Sequence, residues 1–206
     1  MCANTSCRDP ADKQLPSAAS PGEAPAGLLL TLCRDWERCA SWGKFPLTHP
    51  CFWAVLNYRL GHLAWRMKLW GVRALLLLPC LVMKRIIQLC FDITLEFSAE
   101  IGPGFQIGHP GGVRLAPGVR IGSNVTIVNE VTIGRDGRPN KGVPTIGNNV
   151  FIGVGARILG AVTVGDNVSI GANAVVIHDV PPNGLAVGVP ARFIPKDMSS
   201  SVADDV

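Results

Sequence analysis

Several residue types are scarce in this chain of 206 residues, and each shortage excludes a kind of chemistry. All seven cysteines lie within the first 90 residues, none forms a CxxC pair and their number is odd, which indicates reduced thiols in the cytosol. Of four histidines, only His109 and His178 lie beyond that point. The ligand set of a zinc site is missing there, and we expect no metal. No phosphate-binding or dinucleotide-binding glycine motif is present.

Charge also narrows the choice of partner. The net charge is only +4, and no segment interleaves aromatic residues with dense Lys and Arg, so we expect no nucleic acid. Residues 1–26 are rich in Ser, Pro and Ala without the apolar core of a signal peptide, which predicts a disordered leader. The polar residues 196–206 predict a flexible tail.

Residues 27–91 have a helical pattern. We expect one helix to open at Leu28–Leu32 and a second to begin after Pro50. A third is expected over Ala74–Phe91, broken or kinked near Pro79, and this segment is interpreted as too short and too interrupted to span a bilayer.

The same region has no acidic residue between Glu37 and Asp92, but it carries several basic residues and tryptophans. The basic residues are Arg38, Lys44, Arg59, Arg66, Lys68, Arg73, Lys84 and Arg85, and the tryptophans are Trp42, Trp53, Trp65 and Trp70. Basic helices that carry Trp suit an anionic membrane surface. The alternative is that the helices pack on each other or on the first coil, with the charges in water.

From residue 92 to residue 195 the pattern changes, and an aliphatic residue returns every six positions. The thirteen positions are Leu95, Ile101, Ile107, Leu115, Ile121, Ile127, Ile133, Ile146, Ile152, Ile158, Val164, Ile170 and Val176. A period of six fits neither an α-helix nor a simple strand, and it predicts a parallel β-helix in which three hexads make one triangular coil. The chain is therefore expected to be mainly β, with an N-terminal α-helical cap.

Two interruptions of this period are candidate functional segments. Val113 and Arg114 are interpreted as two extra residues before Leu115. Residues 134–145 form a longer insertion whose Gly, Pro, Asn and Asp content predicts an exposed loop. Loops that leave a rigid solenoid are common positions for substrate contacts.

Among the histidines, His109 is the candidate for catalysis. It lies beside a register break and is followed by Pro110, Gly111 and Gly112, which leave room for a substrate. A histidine that titrates near neutral pH is the usual group for taking a proton from an alcohol. The alternative is a packed histidine with no chemical role. His49, His62 and His178 are interpreted as structural or solvated.

Several segments together resemble the serine acetyltransferase branch of the hexapeptide-repeat acyltransferases. They are IGPGFQIGHPGGVRL, VTIGRDG, PTIGNNVFIGVGARILG, VTVGDNVSIGANAVVIHDVPP and AVGVPARF, with HPCFWAVLNYRLGHLAW upstream. The resemblance implies a left-handed β-helix, a homotrimer, and acetyl-CoA as cosubstrate in the groove between neighbouring subunits. It also implies that His109 is the catalytic base.

The resemblance assigns further residues. The backbone N–H groups near Gly134 and Arg135 match the position that stabilises the oxyanion of the thioester carbonyl. Val154 and Ala172 match small residues that line the pantetheine channel, although packing at a coil corner explains their size equally well. Arg192, in the segment GVPAR, is the candidate for contact with the phosphates of CoA, and the alternative is a solvated charge.

Three departures from that family concern the acceptor. Gly108 stands where serine acetyltransferases have Asp, and Gly142-Val143 stands where they have an Arg-His pair. The acid that orients the histidine falls on Thr94, and Glu96, two residues on, is the expected substitute. In that family, the Asp and the Arg-His pair that are missing here hold the ammonium and carboxylate of the amino acid.

We therefore expect a cytoplasmic O-acetyltransferase that acts on a sugar hydroxyl in capsule, exopolysaccharide or glycan biosynthesis. In this interpretation the basic helical region gives peripheral contact with the inner membrane. The alternatives are a serine O-acetyltransferase of cysteine biosynthesis and a non-catalytic trimeric scaffold.

Overall fold

The computed structural model describes residues 27–41, 46–137 and 142–196. The predicted leader and all but the first residue of the predicted tail lie outside these ranges. Three α-helices come first: α1 (Leu28–Ser41), α2 (Pro50–Arg66) and α3 (Trp70–Phe91), with a short 3-10 turn at Pro46–Thr48. Pro50 opens α2 because a proline at the first helical position loses no intrahelical hydrogen bond.

Helix α3 differs from the sequence-based expectation. It begins at Trp70 rather than Ala74, continues through Pro79, and reaches 22 residues. Its length and composition are sufficient for a membrane span, so the interpretation of this segment as too short was wrong. The helix ends at Phe91, and the following Asp92, with a φ of 48°, turns the chain into the first strand.

Fifteen short strands follow in the described chain. They are β1 (Ile93–Leu95), β2 (Glu100–Ile101), β3 (Gln106–Ile107), β4 (Val113–Leu115), β5 (Arg120–Ile121), β6 (Thr126–Ile127), β7 (Thr132–Gly134), β8 (Thr145–Ile146), β9 (Phe151–Ile152), β10 (Arg157–Leu159), β11 (Thr163–Val164), β12 (Val168–Ile170), β13 (Val175–Val176), β14 (Gly184–Val187) and β15 (Arg192–Pro195).

Every third strand pairs in parallel, which gives a three-sided solenoid. Side 1 contains β1, β4, β7, β10 and β13; side 2 contains β2, β5, β8 and β11; side 3 contains β3, β6, β9, β12 and β14. Strand β15 then pairs antiparallel with β14 and closes the edge of side 3. The mainly-β parallel β-helix with an N-terminal helical region is thus confirmed.

The hexad residues stack inside the solenoid as expected. Ile127 pairs with Ile107 and Ile152, and the side chains of Ile127, Ile133 and Ile152 have no exposed surface. A second inward position precedes each hexad residue by two, and it is mostly occupied by aliphatic residues such as Val125 and Ala156, which are also fully buried. The exceptions are Phe105 and Pro144. Each coil therefore buries two apolar positions per side, and stability accumulates along the stack.

The register of the second coil corrects one sequence-based interpretation. Val113 pairs with Ile93 and has no exposed surface, so Val113 and Arg114 belong to a regular strand and do not interrupt the period. The two extra residues lie instead in the preceding turn, at 108–112, because the buried position of Val113 leaves only that turn free to lengthen.

A buried ion pair attaches α1 and α2 to the first coil. Asp35 accepts hydrogen bonds from Arg59 Nε at 2.8 Å and from the N–H groups of Gly104 and Phe105 at 2.8 and 3.0 Å. Arg59 also donates to the carbonyls of Ile101 and Gly102. Because both side chains are almost fully buried, their contacts position the cap on the solenoid.

Two other cap residues bind the solenoid backbone. The hydroxyl of Tyr58 donates to the Ala99 carbonyl at 2.7 Å, and His62 Nδ1 contacts the Phe97 carbonyl at 2.8 Å. The structural interpretation of His62 agrees with this contact. The described residues include five cysteines, Cys33, Cys39, Cys51, Cys80 and Cys90, and no disulfide joins any two of them.

Candidate active site

His109 lies on a lengthened turn between β3 and β4, where the chain passes from side 3 to side 1. This position is called the His109 corner. The side chains of His109 and Pro110 are exposed, whereas Gly108 is buried and its N–H donates to the Ile127 carbonyl at 2.8 Å. The imidazole of His109 is therefore exposed to solvent, while the backbone of the preceding Gly108 is hydrogen-bonded to the next coil.

Glycine at position 112 is required by the shape of this turn. Its φ is 66°, and a Cβ there would lie 2.8 Å from the Cα of Glu130 in the coil below. The neighbouring Gly111 carbonyl accepts a hydrogen bond from the Glu130 N–H at 2.8 Å. The His109 turn therefore rests directly on the next coil, and no larger residue fits at position 112 without a backbone shift.

The strand register extends the His109 corner along the solenoid. Asn129, Val154 and Ala172 follow β6, β9 and β12 by two residues and form one column, because the Asn129 carbonyl accepts from the Gly155 N–H and the Val154 carbonyl accepts from the Asn173 N–H. Gly111 continues this column in the first coil, since its carbonyl accepts from the Glu130 N–H, so His109 lies in the extra residues of the turn at the head of the column. Adjacent strands are about 4.8 Å apart, which places Val154 roughly 10 Å and Ala172 roughly 14 Å below His109 along the axis. The structure thus brings together three of the residues that the sequence singled out.

Arg192 lies at the far end of the same column. It pairs with Val187, which lies next to Gly171 at the end of side 3, and its side chain is exposed. An extended ligand that followed the column from His109 past Val154 and Ala172 would reach this cation. Such a length suits a pantetheine arm followed by a phosphate-bearing group.

Gly134 and Arg135 lie at a different corner, where the chain passes from side 1 to side 2. A Cβ on Gly134 would lie 2.9 Å from the Cβ of Ala116, so the close approach of two coils requires glycine here. Arg135 is exposed and opens the loop that leads to β8 at Thr145. A side-1 strand of three residues, roughly 10 Å, separates this Gly134 corner from the His109 corner within one chain.

Glu96 also lies at the Gly134 corner, since it is in register with Ala116 and Gly134. Its carboxylate forms an ion pair with Lys84 Nζ at 2.8 Å, so it is engaged by the helical cap. The geometry of the chain therefore does not bring Glu96 to His109, because the length of a strand separates them.

Two acids that the sequence did not single out lie at the His109 corner. Asp92 precedes β1 and its carboxylate contacts Arg114 at 2.9 Å, and Glu130 lies under Gly112. The signal that could have found them is the coil period of about twenty residues, which brings positions 92, 112 and 130 to one corner. The side chains of Asp92 and Glu130 are both exposed. Thr94, which stands at the position where the resemblance places the orienting acid, is half-buried.

The positions that depart from the serine acetyltransferase pattern carry no charge in the structure. Gly108 is buried, and Val143 is half-buried and packs against the core. Residues 138–141 of the intervening loop lie outside the described ranges. In the described part of the chain, no group of three His, Cys, Asp or Glu residues could hold a metal ion.

Comparison with known proteins identifies the class that this fold and corner geometry define. Residues 144–178 match the family model described as bacterial transferase hexapeptide (six repeats). A serine acetyltransferase of Helicobacter pylori (strain J99) is 39% identical over 152 residues, which cover 73% of this chain and 85% of that protein.

Solved structures agree with this likeness. The apoenzyme of soybean serine acetyltransferase superposes with a TM-score of 0.71 at 34% identity, covering 81% of this chain and 69% of that one. A serine acetyltransferase in complex with CoA gives a TM-score of 0.68 at 31% identity, with the same two coverages.

The chain is therefore a hexapeptide-repeat acyltransferase, and it belongs to the serine acetyltransferase family. The expected closer likeness to sugar O-acetyltransferases is not supported, since these relatives are serine acetyltransferases. The branch suggested by the motifs is confirmed. The roles of the individual site residues stay predictions.

Proposed function

We propose that this protein transfers the acetyl group of acetyl-CoA to the hydroxyl of L-serine, with His109 as the general base. The observation that carries the proposal is the exposed imidazole of His109 on its glycine turn, at the head of a column that leads to Arg192. The similarity to serine acetyltransferases over most of the chain supports both the donor and the acceptor.

In this mechanism the neutral imidazole of His109 takes the proton of the acceptor hydroxyl while the oxygen attacks the thioester carbonyl. The backbone N–H groups at Gly134 and Arg135 donate to the carbonyl oxygen as it becomes negative. When the carbon–sulfur bond breaks, the imidazolium of His109 returns the proton to the leaving CoA thiolate. The products are the acetyl ester and free CoA, and the histidine is regenerated.

The positions of these groups support a trimer as the catalytic unit. The His109 corner and the Gly134 corner are separated by a strand in one chain, so base and oxyanion donors meet only if two subunits face each other. Hexapeptide-repeat β-helix acyltransferases are typically trimers with closed symmetry. In the proposed homotrimer, His109 of one subunit and Gly134 of its neighbour flank one CoA-binding groove.

Release of free thiol from acetyl-CoA with L-serine as sole acceptor tests the proposal. We expect His109→Asn to lower kcat by a factor of about 10² to 10⁴, since asparagine occupies a similar volume but cannot exchange a proton at neutral pH. His178→Asn is the matched control, because this exposed histidine lies in the last coil. Equal activity of both variants would show that the base is another group.

One observation favours a second acceptor class. Gly108, Gly142 and Val143 place no charge where a zwitterion would be held, and Val143 packs against the core. A sugar hydroxyl needs no such charges. If thiol release with L-serine stays at background while CoA still binds in calorimetry, the same assay with sugar acceptors follows. If CoA itself does not bind, the protein is a non-catalytic scaffold.

A further inference from the structure

Helix α3 is attached to the rest of the protein along one narrow face. Cys80 and Ile87 lie on this face, where Asn57 Nδ2 of α2 donates to the Cys80 carbonyl at 3.2 Å. Lys84 lies on the same face and forms its ion pair with Glu96 at 2.8 Å. Of the 22 residues of α3, all within the described ranges, only Ile87 is buried.

The opposite face of α3 is apolar and exposed. It consists of Leu75, Leu78, Val82, Ile86 and Leu89, here called the α3 outer face, and their exposed fractions are 74%, 65%, 54%, 47% and 86%. The spacing of three and four residues places them on one stripe. A helix on the surface of a soluble protein has its charges on this face and its leucines inside. In α3 this order is reversed, since Lys84 faces inward and the leucines face outward.

The surroundings of the α3 outer face are basic. Three of the eight cations of the helical region are engaged inside the fold: Arg38 with Thr126, Arg59 with Asp35, and Lys84 with Glu96. The exposed cations Arg66 and Lys68 precede α3, and Arg85 lies beside the leucine stripe. No acidic residue occurs between Glu37 and Asp92 to balance them.

Two tryptophans lie at the N-terminal end of α3. The side chain of Trp70 is 85% exposed and that of Trp65 is 46% exposed, with the Arg73 guanidinium 4.5 Å from the centroid of the Trp65 ring. Tryptophan and arginine are favoured where hydrocarbon meets lipid headgroups. An apolar stripe bordered by tryptophans and unbalanced cations therefore fits a bilayer surface with anionic lipids.

We propose that α3 lies in the interface of an anionic membrane, with its outer face in the hydrocarbon boundary and its inner face on the solenoid. A second copy of this chain is a poorer occupant, because a symmetric contact would bring like cations together without an acid to pair them. The helix is long enough to span a bilayer, but the contacts of Lys84, Asn57 and Ile87 hold it along the fold. A trimer would present three such helices and bind multivalently.

Flotation of the full chain with vesicles tests this proposal. One vesicle preparation is phosphatidylcholine and the other is an equal mixture of phosphatidylcholine and phosphatidylglycerol, both near physiological ionic strength. We expect the chain to float with the anionic vesicles and to bind phosphatidylcholine much more weakly. Leu75→Ser, Leu78→Ser and Leu89→Ser combined should lower the partition coefficient at least roughly tenfold. Ile177→Ser, an exposed apolar residue in the last coil, is the matched control and should bind as the wild type does.

A second variant tests the charge independently of the leucines. Neutralising Arg66, Lys68 and Arg85 to Gln should weaken binding to anionic vesicles by roughly a hundredfold, since each cation near such a surface contributes about a factor of five. It should leave binding to phosphatidylcholine unchanged. Arg157→Gln, at an exposed residue of β10, is the control for lost charge.

Three results would overturn the proposal. They are no flotation with either vesicle, equal binding of wild type and the leucine variant, and a leucine variant that only splits a larger assembly in analytical ultracentrifugation. The last result would make the α3 outer face an interface between copies. Thiol release in solution is expected to be unchanged in the leucine variant, so this proposal and the proposed acetyl transfer can fail separately.

Discussion

The buried pair of Asp35 and Arg59 allows a quantitative test of how the helical cap is held. Asp35→Asn removes the negative charge but keeps an oxygen that accepts from the N–H groups of Gly104 and Phe105. Arg59, whose exposed fraction is 6%, is then left as a buried charge without a counter-charge. Removal of one partner from a buried pair costs about 3–5 kcal/mol of unfolding free energy, and we expect at least about 3 kcal/mol here.

Two further variants separate the contributions. Asp35→Ala also removes the acceptor of the two N–H groups, so it should cost about 1–3 kcal/mol more than Asp35→Asn. Asp92→Asn breaks a pair of the same chemical kind with Arg114, but both of its side chains are at least half exposed. An exposed pair contributes about 0–1 kcal/mol, so this variant is the control.

Urea unfolding at one fixed protein concentration measures these differences, because a trimer makes apparent stability depend on concentration. Burial, the largest influence, raises the pKa of the Asp35 carboxyl, against the lowering by Arg59 and the two N–H groups. The cost of burying this charge offsets part of its attraction to Arg59, so the expected loss is set at the lower limit of the range for a buried pair. The reasoning is refuted if Asp35→Asn at pH 7 costs no more than Asp92→Asn.

Two other predictions concern a titration and the His109 turn. Burial raises the pKa of Tyr58 to about 12, so its stabilising effect is intact below pH 10 and is lost as the pH rises from 10 to about 12, by up to about 3 kcal/mol. Tyr58→Phe should remove this alkaline loss of stability, as measured by urea unfolding at several pH values. At pH 7 the variant should lose about 1–3 kcal/mol of unfolding free energy, because the Ala99 carbonyl is left unpaired. An alkaline loss that is the same in the variant and the wild type would contradict this prediction. Gly112→Ala should destabilise by about 1–3 kcal/mol and lower kcat/KM for thiol release, since its Cβ would meet the backbone of Glu130. Gly137→Ala is the control, because Gly137 has a similar φ of 78° and an added Cβ there would meet no atom within 4 Å. An equal loss of activity in both variants would exclude the clash with Glu130 as the cause.

The hexad pattern predicted the solenoid because its cause is local. Each hexad makes the same turn, and each aliphatic residue needs only its equivalent in the next coil to be buried. The same pattern placed the extra residues of the second coil incorrectly at Val113 and Arg114. A count of positions detects an insertion, but which residues leave the stack depends on burial, and Val113 is the residue that packs on Ile93.

The candidate site was only partly predictable for a similar reason. His109, Val154, Ala172 and Arg192 were singled out separately, and the strand register places them on one corner. Glu96 was chosen as the partner of His109 from its distance along the strand. The ion pair with Lys84 comes from a helix, and a strand pattern contains no information about it.

The sequence by itself determined the coil period, the order of helices and strands, the exposed turn with His109, and the family of the enzyme. These properties depend on short repeating segments, so they can be recognised without long-range contacts. Only the tertiary structure decided which corner each functional residue occupies, that Arg59 and Lys84 are engaged inside the fold, and that α3 directs its leucines outward. These depend on the packing of distant segments, because the same amphiphilic helix can face either way until α2 and the first coil select one face.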